Sequence, residues 1–130
     1  MPRNLILRYS NPGEWVLDQF MGSGTTLVEA KLLNRNAVGV DINPQSVSIS
    51  ETNLQFQCET NSKIFTRNGN ATELHFIKDS HIDFICTHPP YANIIKYSKG
   101  IEGDISLLGV DEFLAEMCKV AEESLSLIHI

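Results

Sequence analysis

The sequence predicts a doubly wound α/β fold built on a parallel sheet. Four short apolar runs alternate with stretches of helical character, a glycine-rich turn joins the first run to the first helix, and Thr87-His88-Pro89-Pro90-Tyr91 closes the fourth run. In a chain of 130 residues, such alternation implies parallel strands joined by right-handed crossovers.

Asn11-Pro12-Gly13 is a turn, and the first strand follows it over residues 14–17, where Val16 and Leu17 read as buried. Gly22 and Gly24 permit a tight turn with close backbone approach, after which Thr25 or Thr26 starts a helix over 25–33. A second strand, 37–40, ends at Asp41. Asn43 then serves as N-cap and Pro44 as first residue of a helix over 44–57. Strands near 63–66 and 82–86 and a last helix over 111–124 complete the plan. Residues 92–109 show no clear period and read as a loop.

The chemical signals sit at the strand ends. Pro89 and Pro90 fix their own φ angles and push each preceding residue toward extended geometry, so the fourth strand ends in a stiff loop. Tyr91 offers a flat stacking face, and the carbonyls beside it lack ladder partners. The combination suits a planar ring bearing an amino group, and equally a plain proline-stiffened connection between strand and helix. The glycine loop is of nucleotide-binding type. It lacks the lysine of a phosphate-binding loop, and Leu27 stands where a dinucleotide fingerprint needs its third glycine. Asp41 is placed to take both hydroxyls of a ribose.

In chain order, DQFMGSGTT, GVDINP and THPPY resemble the amino-methyltransferases of DNA, the family that methylates the exocyclic amine of adenine or cytosine. The resemblance covers residues 5–91, and the joint occurrence of these motifs is far more specific than any one alone. It implies a Rossmann-like methyltransferase sheet, incomplete here at about four parallel strands, and S-adenosyl-L-methionine as cofactor. It also implies roles. Asp18, Phe20, Gly22 and Gly24 wall the methionine part of the cofactor, with Ser23 and Thr25 of the same loop beside it. Asp41 holds the ribose, Ile42 flanks the adenine, and Asn70, next to Ala71, hydrogen-bonds it. His88, Pro89, Pro90 and Tyr91 form the catalytic segment.

Three positions depart from the family pattern. Gln19 stands where a proline is usual, which costs rigidity more than chemistry. Asn70 replaces a usual aspartate, its amide keeping an acceptor. His88 stands where Asp, Asn or Ser usually precedes Pro-Pro. That side chain accepts one hydrogen bond from the target amine while the adjacent proline carbonyl accepts the other. An aromatic amine is a poor nucleophile because its lone pair is delocalised, and two acceptors pull the nitrogen toward pyramidal geometry. A neutral imidazole accepts through one ring nitrogen; an imidazolium does not.

A formal net charge of −6 is unlike a duplex-binding surface, which clusters lysine and arginine. Arg3, Arg8, Lys96 and Lys99 are the cations nearest the expected site, and each also reads as scattered surface charge. DNA is the partner that the resemblance implies, through a separate recognition region not visible in this chain. No run is long enough to span a bilayer and no signal-peptide pattern opens the chain, so one soluble cytoplasmic domain with no membrane partner is expected. Cys58, Cys86 and Cys118 are odd in number and widely spaced, and read as reduced and structural. None follows a proline, as a nucleophilic cysteine does in ring-carbon methylation. His75, His81, His88 and His129 lack metal-ligand spacing, and no metal is expected.

Residues 1–124 are expected to form the N-terminal part of a methyltransferase catalytic domain, truncated at its C-terminus. Residues 125–130, Leu-Ser-Leu-Ile-His-Ile, resemble one reading frame of a transposon-end sequencing adapter, so a non-native tail is expected there. The activity implied is site-specific N-methylation of adenine or cytosine in DNA, as in restriction-modification. An RNA or protein-amide N-methyltransferase fits the same loop, as does a non-catalytic nucleotide-binding remnant.

Overall fold

A computed structural model describes residues 1–90 and 100–128. The elements in chain order are α1 (Pro2–Tyr9), β1 (Trp15–Asp18), α2 (Thr25–Leu32), β2 (Asn36–Asp41), α3 (Pro44–Asn53), β3 (Ile64–Asn68), β4 (Phe84–Ile85), a 3-10 turn (Ile105–Leu107) and α4 (Val110–Leu127). The strands pair in the order β3-β2-β1-β4, and every pairing is parallel. The chain therefore winds outward through β2 and β3, then returns to the far edge of β1. In such sheets the reversal opens a crevice beyond the carboxyl ends of the strands.

Successive strand residues point to opposite faces, and both faces are covered. Val16 and Ala37 pack with Ile6, Leu27 and Ala30 of α1 and α2. Their neighbours Leu17, Val38 and Val40 pack on the other face with Leu74, Ile77, Ile82 and Leu127. This accounts for apolar runs with little alternation in β1 and β2.

Local chemistry fixes the helix ends. Asn43 caps α3, its side chain accepting from Gln45 N at 3.0 Å, and Pro44 takes the first position as expected. The helix stops at Asn53 rather than Gln57, because Lys31 Nζ donates to the carbonyls of Leu54 (2.8 Å) and Phe56 (2.7 Å). Gly24, at φ 86°, precedes α2; a Cβ there would lie 2.7 Å from Ser50 Cβ, so its missing side chain is what lets α3 pack on the loop.

Helix α1 was not foreseen from the sequence. It is only eight residues long, and one residue, Ile6, is buried. Its anchor is Arg35, itself only 5% exposed. The guanidinium donates to Ser10 Oγ (3.0 Å), Ser10 O (2.7 Å) and Leu33 O (2.7 Å). One buried cation thus serves the carbonyl ends of α1 and α2, where the helix dipoles favour positive charge.

Strand β4 is shorter than the expected 82–86. Ile82 lies outside the strand and makes an isolated parallel bridge to Ile128. Helix α4 runs past Ser124, Leu127 is 1% exposed, and Ser80 N and Ile82 N donate to Ser126 O (3.0 Å) and Leu127 O (2.8 Å). Residues 126–128 are therefore seated against the segment leading into β4. The expected loop 92–109 is not irregular throughout: Asp104 caps the 3-10 turn, and Asp104, Ile105 and Ser106 are buried. Residues 91–99 lie outside the described residues.

Asp18 ends β1 at the crevice and is 4% exposed. Its Oδ1 accepts from Phe20 N (3.0 Å) and from Thr87 Oγ1 (2.7 Å), tying the end of β1 to the segment after β4. Burial pushes its pKa above the ordinary carboxylate value, against hydrogen bonds from Thr87, Thr26 and Phe20 and with a contribution from the Asp41 charge.

Two stability predictions arise. The Asp18 pKa is raised on folding, so the unfolded chain releases this proton first: stability from this group is whole below the unfolded pKa of 3.8 and is lost as pH rises through the folded value. Asp18→Asn keeps an acceptor but no charge, and should unfold at a higher temperature than the parent near neutral pH, the difference closing toward about pH 4. Thermal melts across that range check it, and a pH-independent difference would refute it. Arg35→Met should cost about 2–4 kcal/mol in urea unfolding, because it leaves the carbonyls of Ser10 and Leu33 unpaired.

Candidate functional site

The ends of the four described strands open on one cleft. Phe20 and Gly22 line it from the loop after β1, Asp41 and Ile42 from the end of β2, and Asn70 and Ala71 from beyond β3. His88 and Pro90 enter from beyond β4, and Asp104, Ile105 and Val120 close the remaining side. The fold thus brings the glycine loop, the acidic strand end and the Pro-Pro segment to one place. These are far apart in the chain, and sequence alone gave only their order.

The loop is built around Asp41. Gly22 N donates to Asp41 Oδ2 at 2.9 Å, and Asn43 N donates to Oδ1 at 2.9 Å. Each carboxylate oxygen offers two acceptor sites, so both oxygens keep one site for a ligand hydroxyl. Gly22, at φ 54°, has nothing within 4 Å of where a Cβ would be, which leaves its backbone open to an approaching molecule. Asn68 Nδ2 donates to Asp41 O (2.9 Å) and Ile42 O (3.0 Å), fixing the strand end from below.

Asn70 is less simple than the sequence implied. Its Oδ1 accepts from Thr72 N (3.0 Å) and Thr72 Oγ1 (2.8 Å), so the amide acceptor is already committed and Nδ2 is the group it presents. Asp18 supports the cleft from beneath without lining it. Ser23, Gly24, Thr25 and Pro89 also fall outside the lining, and Ser23 O accepts from Asn53 Nδ2 of α3 at 2.9 Å. His88 is exposed at the cleft mouth. Tyr91, assigned a stacking role from sequence, lies outside the described residues.

Eight lining residues had no site role assigned from sequence, Gln19 and Asp104 among them. Gln19 is 3% exposed, and its Nε2 donates to Ser124 Oγ at 2.9 Å, while that hydroxyl donates to Val120 O at 2.7 Å. The hydroxyl proton is thus spent, which orients the amide and leaves Gln19 Oε1 as a buried acceptor without a partner. Nothing in the sequence marks this link between loop and helix. Asp104 did carry a signal: Asp-Ile-Ser is a capping pattern, with a side-chain acceptor two residues before a backbone N–H.

Several of the described cations are engaged within the chain. Arg3 pairs with Glu29 at 3.1 Å, Lys119 with Glu116 at 2.7 Å, and Arg67 lies 4.1 Å from the Phe76 ring centroid. Neither Arg3 nor Arg8 lines the cleft, and Lys96 and Lys99 lie outside the described residues. Burial, then the charge of Asp18, pushes the Cys86 thiol pKa up, which disfavours a thiolate there. The three cysteines are free thiols. Among the described residues no group of three or more His, Cys, Asp or Glu side chains could hold a metal ion, and no helix is long and apolar enough to cross a membrane.

A family model described as DNA methylase, of the N6/N4 methyltransferase type, matches residues 1–52. The Type II methyltransferase M.MjaII of Methanocaldococcus jannaschii is 32% identical over 119 residues, covering 91% of this chain and 17% of that protein. The Type II methyltransferase M1.MboII of Moraxella bovis is 53% identical over 51 residues, covering 36% of this chain and 20% of that protein. The chain thus spans about a fifth of the length of these curated relatives. An rRNA methylase structure from Streptococcus thermophilus shares the fold at a TM-score of 0.67 and 14% identity, covering 100% of this chain and 63% of that one. With the glycine loop, the acidic strand end and the Pro-Pro segment gathered on one Rossmann-like sheet, the chain is similar to the N6/N4 DNA methylases in sequence and in the order of its motifs.

Proposed function

We propose that this chain is part of the catalytic domain of an S-adenosyl-L-methionine-dependent methyltransferase acting on the exocyclic amine of adenine or cytosine in DNA, residues 1–124 being its N-terminal part. The observation that carries the reading is the shared cleft: Gly22, Asp41 and Ile42 on one side, His88 and Pro90 on the other. A cofactor half and an amine-holding half meet at the one crevice that this strand order creates.

The residues present fit the cofactor. Asp41 keeps an acceptor site on each oxygen for a ribose diol, Gly22 leaves its backbone approachable, and Ile42 offers an apolar surface for the adenine. When bound, the cofactor supplies an electrophilic methyl group on a sulfonium. The protein's task is then positioning and charge placement. An imidazole at His88 can accept a hydrogen bond from the target amine through an unprotonated ring nitrogen, and the resemblance assigns the second amine hydrogen bond to the Pro89 carbonyl, the pair turning the nitrogen lone pair toward the methyl donor. Pro89 and Pro90 hold that acceptor pair rigid. Because the target base must reach this cleft, it leaves the duplex stack, at a cost recovered by contacts in the pocket. The sequence assigns Tyr91 the stacking contact.

The family relationship to named Type II methyltransferases supports a role in restriction-modification. The acidic balance of this chain and its internal use of cations support a duplex-binding surface carried by another part of the protein.

Calorimetric titration should show saturable binding of S-adenosylmethionine, weakened by about 1–3 kcal/mol in Asp41→Ala through loss of charged hydrogen bonds. No binding by the parent chain would refute the cofactor assignment. In the full-length enzyme, label from the cofactor's methyl group should appear on an exocyclic amine of DNA, and His88→Ala should lower kcat more than cofactor affinity. Label on RNA, on protein or on a ring carbon would replace this reading.

A further inference from the structure

Asp104 is an acid without an assignment. It lines the cleft and is 5% exposed, and its Oδ2 has no hydrogen-bond partner. The other oxygen is committed: Oδ1 accepts from Ser106 N at 3.0 Å and Ser106 Oγ at 2.5 Å. The carboxylate is thereby held in one orientation by the turn that it caps. A buried acceptor left unpaired is costly, so this position calls for a donor from a ligand.

The neighbourhood says which donor. Asp104 follows Gly103, whose φ is 88° and where a Cβ would lie 3.1 Å from Asn70 Nδ2 and 3.2 Å from Ile42 Cδ1. This segment is thus pressed against the base end of the cleft. Asn70 has spent its acceptor on Thr72 and presents a donor. Asp104 supplies an acceptor beside it.

We propose that Asp104 is a specificity-determining residue for the cofactor: its Oδ2 accepts the exocyclic amine of the adenine, while Asn70 Nδ2 donates to the adjacent ring nitrogen. Acceptor and donor together match the amine and the ring acceptor on that edge of a 6-aminopurine. A 6-oxopurine inverts both, with an oxygen facing Asp104 and an N–H facing Asn70. The role left open by asparagine at position 70 is filled from a different segment of the chain. This inference rests on the methyltransferase reading, because it takes the cofactor's adenine as the ligand.

The test is calorimetric titration of the chain with S-adenosylhomocysteine and with its inosine analogue, S-inosylhomocysteine. The parent should prefer the adenosyl ligand by roughly ten-fold or more, as sites with buried polar partners discriminate strongly. Asp104→Asn keeps an oxygen for Ser106 but turns the cleft-side atom into a donor. It should weaken adenosyl binding by roughly ten-fold and bring the preference close to unity. Asp104→Ala should weaken adenosyl binding at least as much. Thermal melts separate this from unfolding, since Asp104→Asn should melt close to the parent. If the parent binds and Asp104→Asn, folded, retains both affinity and preference, Asp104 has no such role while the methyltransferase reading stands. If the folded parent binds neither ligand, both fall.

Discussion

The structure hangs on β1. Its four residues, Trp15–Asp18, pair with β2 along one edge, Val16 and Leu17 pair with β4 along the other, and these two are fully buried on opposite faces. Both cores therefore include this strand. The cleft exists because β1 is where the chain reverses its direction of travel across the sheet. Asp18 at its end then holds Thr87 by a 2.7 Å hydrogen bond and sets the distance between the two halves of the site. The carboxylate is held there at an electrostatic cost, visible in its raised pKa.

A second theme is how polar groups are spent. Arg35 and Lys31 are occupied with helix-end carbonyls, and Asp41 takes the amides of Gly22 and Asn43. Charge in this chain organises backbone more than it faces a polyanion. Against that background the unpaired oxygens of Gln19 and Asp104 stand out, since both line the cleft in a region where other polar atoms find partners.

Much of this was legible in the sequence, for a physical reason. Strand and helix positions follow from burial patterns and caps that are local, so Asn43-Pro44 announced α3 and the glycine pair announced the turn before α2. The motif order carried the resemblance to the DNA amino-methyltransferases. Illegible features depend on contacts between distant segments. Helix α1 needs Arg35 from β2's approach; α3 ends early because Lys31 of α2 takes the carbonyls of Leu54 and Phe56 just beyond it. Asn70 read as an acceptor until Thr72, two residues away, was seen to occupy it. Asp104 lay in a stretch with no period, and only its burial distinguishes it from a surface acid.

The parallel ladder on the β4 side of β1 joins two stretches that are 68 residues apart at the Trp15–Asp83 contact. Cofactor loop and Pro-Pro segment are thus neighbours through space, with the intervening chain acting as a tether. Register and hydrogen bonds between β1 and β4 do not record which stretch is translated first. A gene in which the Pro-Pro half precedes the glycine-loop half could, with suitable connections, rebuild the same crevice, so motif order is a feature of ancestry that the physics of this sheet leaves unconstrained.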